Sequence, residues 1–170
     1  FFSTFVAQAQ INVPSGSQKA TVSQRVGISD VSINYSRPSV KGREIWGKLV
    51  PYGMNNLGFG TATAAPWRAG ADENTTITFS HDAKVEGKDI KAGTYGFFIE
   101  VKEGENATLI LSHDINSWGS FFYDKGQDAL RADITTKSVP FREVLTYEFN
   151  SVTPTSTIAS LVWEKKAFPF

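Results

Sequence analysis

Along residues 30–36, Val31, Ile33 and Tyr35 alternate with Ser32, Asn34 and Ser36. A two-residue period sends successive side chains to opposite faces of an extended chain, so this segment predicts a half-buried strand. Residues 19–28 predict a partner for it, with Ala20, Val22 and Val26 alternating less cleanly. Ile77 and Phe79 share one face of residues 75–80, and Glu86-Gly87-Lys88-Asp89 predicts a tight hairpin between Val85 and Ile90. Further on, Tyr95, Phe97, Ile99 and Val101 fall on one face, with Phe98 and Glu100 on the other. Residues 107–112 are nearly continuous in apolar character, as expected of a central strand covered on both faces. Later strands are predicted where Leu130, Ala132 and Ile134 alternate, then Leu145, Tyr147 and Phe149, then Leu161 and Trp163 opposite Ile158 and Val162. Helical spacing is confined to residues 43–49 and 124–130, a turn or two each. About eight short strands with turn signals between them predict an all-β chain. The expected architecture is a single antiparallel β-sandwich or flattened barrel with very little helix, under about 15%.

Composition sharpens this picture. The chain has 170 residues, enough for one ordinary domain, and its 13 Phe, 5 Tyr and 4 Trp favour strands with large buried side chains. Lys plus Arg is 17 and Asp plus Glu is 17, so the basic excess typical of a nucleic-acid partner is missing. Cys is 0, which excludes disulfides, thiolate metal sites and cysteine nucleophiles. No stretch approaches the roughly 18 apolar residues of a membrane span. Residues 1–9 place Phe1, Phe2, Phe5 and Val6 before Ala7-Gln8-Ala9, which resembles the remnant of a secretory signal peptide with a mature start at Gln10. That reading makes residues 10–170 the domain and its location periplasmic or extracellular. Residues 55–66 are small and glycine-rich, and are expected to form an exposed loop insertion.

The chemistry is sparse. No nucleophile elbow, phosphate loop, dinucleotide fingerprint or zinc helix occurs, and no cofactor is expected. Both histidines, His81 and His113, sit in Ser-His-Asp tripeptides at predicted strand ends. Three consecutive residues cannot fold back into a catalytic triad, so these read as turns. The alternative is a metal held by the two His-Asp pairs, should both leave the sheet at one end. Three segments, residues 35–53, 67–74 and 116–124, mix Trp with Gly and charged groups, a composition suited to stacking and hydrogen bonding. From these come the candidate ligand-binding residues Arg37, Trp67, Arg68, Glu73 and Trp118. The competing reading is an internal Arg–Glu brace behind a buried Trp.

Five segments then stand out together: YSRPSVKGREIWGKLVPYG, WRAGADENTTITF, KVEGKDIKAGTYGFF, INSWGSFFYD and LVWEKKAFPF. In this order they resemble an uncharacterised Bacteroidetes envelope family catalogued as domain of unknown function 2911, over residues 20–170. The resemblance implies an exported protein and carries no activity with it. Residues 55–66 depart from the family pattern as an insertion, and neither histidine belongs to it.

Three functions follow from these readings. The first is an exported, non-enzymatic binding domain for a small glycan or peptide. The second is a hydrolase of an envelope glycan or peptide using acids such as Asp72 and Glu73, although adjacent carboxylates diverge and a glycosidase would need a partner from elsewhere. The third is a structural subunit whose partner is an envelope protein, docking through the N-terminus or residues 55–66.

Overall fold

A computed structural model describes residues 14–170. Residues 1–9, read above as a signal remnant, lie outside the described residues. Among the described residues there are ten strands: β1 (Gln18–Val26), β2 (Ser29–Arg37), β3 (Thr76–Phe79), β4 (Ala83–Val85), β5 (Lys88–Ile90), β6 (Gly93–Val101), β7 (Asn106–Ser112), β8 (Asp128–Thr135), β9 (Lys137–Asn150) and β10 (Ile158–Pro169). The expected all-β, antiparallel class holds, with a single 3₁₀ turn at Lys125–Gln127 among the described residues. Residues 43–49 form irregular turns instead of helix.

Six strands make one antiparallel sheet in the order β1-β2-β3-β6-β7-β8, and the β9–β10 hairpin lies across its inner face. The alternating residues build the core between these layers. Ile33, Tyr35, Ile77, Phe97, Ile99, Leu109, Leu111 and Leu130 from the large sheet meet Leu145, Tyr147, Leu161 and Trp163 from the hairpin. β4 and β5 form a separate small hairpin whose turn residues Glu86 and Gly87 have φ of 49° and 75°. Both positive values belong to a type I′ turn, whose twist matches the flanking strands.

The outer face of the central strands is covered as well. Phe98 and Ile110 pack there against Tyr123, Ala62 and Ala65. Residues 55–66 are therefore exposed along most of their length but bury Ala62 and Ala65, because small side chains let the loop lie close to the sheet. Gly60 fixes the approach, since a Cβ there would sit 2.2 Å from the Phe121 carbonyl oxygen.

Beyond the end of β3, loop backbone takes over its place beside β6. Phe97 N–H donates to the Thr75 carbonyl, Trp67 and Ile99 exchange bonds of 3.0 and 2.9 Å, and Gly53 N–H donates to the Val101 carbonyl. The edge of β6 is thereby satisfied, and the long β2–β3 connection is held at one end of the sandwich.

Candidate functional site

A cleft of about 420 Å³ opens at that end, and the three polar-aromatic segments meet around it. The first contributes Pro38, Arg43, Leu49, Val50 and Pro51; the second Trp67, Arg68 and Asp72; the third Trp118, Ser120 and Phe121. Trp163 from β10 closes the inner wall.

Trp67 and Arg68 point to different sides, as neighbours on an extended segment do. Pairing with Ile99 puts the Trp67 indole on the inner face, where it stacks on Trp163 at 6.0 Å and 18° and meets Trp46 edge-on at 5.8 Å. Its Nε1–H donates to the Gly70 carbonyl at 3.2 Å. Trp67 is thus chiefly an end-plug of the core with one edge on the cleft. Arg68 lies outward with its Cζ 4.8 Å from the centre of the Phe121 ring. Gly119, at φ 67°, makes room for it: a Cβ there would lie 2.2 Å from Arg68 Cζ. Burial draws the guanidinium below its ordinary pKa, an effect partly offset by Asp72. Trp118 stacks on Phe121 at 5.6 Å and 29° while remaining 55% exposed. It presents a flat indole face at the mouth.

Arg37 and Glu73 are not brought to this cleft. Arg37 follows Ile33 and Tyr35 on the inner face of β2, so it reaches across to β9, donating to the Leu145 carbonyl at 3.0 Å and Thr146 Oγ1 at 2.8 Å. Glu73 pairs with Lys19 at 3.0 Å on the surface. Its own backbone N–H and Lys19 hold its carboxyl below the usual range. The Arg–Glu brace of the competing reading is therefore not formed. His81 and His113 both follow strands at one end of the sheet, yet β6 separates β3 from β7. Among the described residues no three metal-ligating side chains are gathered together.

Leu49, Pro51 and Phe121 fall within the polar-aromatic segments, but nothing in the sequence marks them individually as lining residues, because apolar residues in loops read as plugs. The glycine of the Trp118-Gly119 pair was the one available clue to a close approach by a neighbouring group.

A second groove, about 700 Å³, lies at the opposite end of β1, between β3 and the β9–β10 hairpin. It is walled by Val31, Ile77, Phe79, Phe149 and Phe170.

Residues 17–170 match a family model described as "Protein of unknown function (DUF2911)". The chain belongs to this family. No curated protein and no solved structure matches it. For this DUF2911 chain, the site must be read from its own geometry. No helix among the described residues is long and apolar enough to cross a membrane.

Proposed function

We propose that this chain is an exported, non-enzymatic binding domain whose end cleft holds a glycan. The observation that carries the proposal is the exposed Trp118 face standing beside Arg68 at the mouth of a cleft built from loops. Sugar rings present flat C–H faces to aromatic rings and hydroxyls to planar donors, and this pairing supplies both. A peptide would use a free strand edge, and the β6 edge beside the cleft is already bonded to Thr75, Trp67 and Gly53. Binding is favoured over glycoside hydrolysis because Asp72 is the sole carboxylate among the described lining residues, where hydrolysis calls for two. The signal-like residues 1–9 support a place in the periplasm or outside the cell.

The test is an oligosaccharide array probed with the full chain and with Trp118→Ala. Binding of at least one oligosaccharide class is expected, weakened about tenfold by Trp118→Ala with little change in melting temperature. Absence of any bound oligosaccharide, or binding indifferent to Trp118, would overturn the proposal.

A further inference from the structure

Arg68 is held in an unusual state of incompletion. A guanidinium carries five N–H donors. Among the described residues Arg68 uses one hydrogen bond, from Nη1 to the Asp72 carbonyl at 2.5 Å, and takes part in no ion pair. Of the two neighbouring carboxylates, Asp72 accepts from Ser15 Oγ at 2.6 Å and acts on Arg68 as a nearby charge without forming an ion pair, and Glu73 pairs with Lys19. Arg43, the other arginine lining the cleft, spends its bonds on the Val40 and Ser39 carbonyls, so its charge is also left without an acid. The lining thus sets two arginines against one carboxylate.

The mounting of the Arg68 group matters as much as its charge. Phe121 covers it at 4.8 Å, and Gly119 permits backbone to lie directly against it. Phe121 and Gly119 crowd the group on the sides they occupy, while the N–H donors not bonded to Asp72 remain as a planar fork. A planar acceptor with two oxygens matches such a fork edge to edge, and a carboxylate is that acceptor.

We infer that the ligand of this cleft carries a carboxylate, gripped edge-on by Arg68 beside the Trp118 stacking face. This rests on the glycan reading for the sugar portion only: an acidic sugar such as a uronic acid supplies ring and carboxylate together.

An array of oligosaccharides displayed both as free acids and as their methyl esters, with tripeptides bearing free or amidated C-termini, separates the two readings. The wild-type chain is expected to bind the acid about tenfold or more tightly than the matched ester. Arg68→Gln should erase that preference, weakening acid binding to the level of the matched ester. Gly119→Ala keeps the arginine but drives a methyl group into its seat, and should erase the preference as well; thermal melting of each variant verifies folding. Equal binding of acid and ester by the wild type overturns this inference and leaves the glycan reading standing. Preference for the free-carboxyl peptide with all sugars refused does the reverse. Refusal of every probe overturns both, and an acid preference that survives Arg68→Gln overturns the carboxylate inference alone.

Discussion

Trp67→Ala separates a residue that closes the core from one that serves only the ligand. The indole stacks on Trp163, meets Trp46 edge-on and touches Phe168 at 6.3 Å, and its N–H is bonded to Gly70. Truncating a well-packed Trp costs about 3–5 kcal/mol. One edge of Trp67 faces the cleft, so the lower figure applies, about 3 kcal/mol, with the aromatic pairs contributing about 0.5–1.5 kcal/mol each within it. For a domain of this size, that loss lowers the melting temperature by about 6–12 °C. Urea titration and thermal melting followed by circular dichroism measure it directly. A fall below about 2 °C would refute the end-plug role and return Trp67 to the ligand side.

Two further outcomes follow from groups away from the indole cluster. The Tyr147 hydroxyl is fully buried and donates to the Ala69 carbonyl at 2.8 Å; burial, then Tyr35, pushes its pKa well above the ordinary value. The unfolded chain loses that proton near pH 10 and the folded chain retains it, so stability is steady below about pH 9 and falls as pH rises beyond 10. Urea midpoints at rising pH should show this decline, and Tyr147→Phe should make it shallower; an unchanged slope would exclude Tyr147 as its source. Gly60→Ala places a Cβ 2.2 Å from the Phe121 carbonyl oxygen at φ 77°, so it should cost more than about 1 kcal/mol and loosen the Trp118 wall, read as lost stability together with weaker glycan binding.

The layers of the fold were legible because burial follows alternation. Ile33 and Tyr35, Phe97 and Ile99, and Leu145 and Tyr147 each mark one face, and those faces are the core. β9 was visible only from Glu143 onward, since Lys137, Ser138, Phe141 and Arg142 are exposed and show no period. Pro140 is tolerated there because β9 belongs to a two-stranded sheet and has an open edge. That Ile110 would be covered was legible from the continuous apolar run of residues 107–112, but what covers it and Phe98 was not, as alanines in a loop carry no sign that they will be buried. The site was half legible. The three polar-aromatic segments do line one cleft, but Arg37 and Glu73 were placed by nearness in sequence. Parity alone would have corrected Arg37, which shares a face with Ile33 and Tyr35 and so points toward β9. Glu73 had no such signal, because the turn that redirects it depends on backbone angles that ordinary residues seldom adopt.

Those angles bear on where the function lies. Among the described residues six with side chains have positive φ, and three of them, Lys41, Ala69 and Asp72, belong to the segments that frame the cleft. Each left-handed residue with a Cβ costs about 1–2 kcal/mol, so such a group persists only where the surroundings over-determine it. The bonds that do so are visible. Tyr147 Oη and Thr75 Oγ1 both donate to the Ala69 carbonyl, and Ser15 donates to the Asp72 carboxylate. A loop serving only to connect β2 with β3 has no need of this, since glycine would remove the strain at Ala69 and Asp72. The effect of Ala69 and Asp72 as they stand is to turn the chain so that Trp67 faces the core and Arg68 faces the cleft. The second groove, though larger, is lined mostly by strands, and the left-handed residues beside it, Glu86 and Ser151, lie in the turns of the β4–β5 and β9–β10 hairpins. Strain held in place around an arginine with spare donors is the reason the smaller cleft, rather than the larger groove, is proposed as the ligand site.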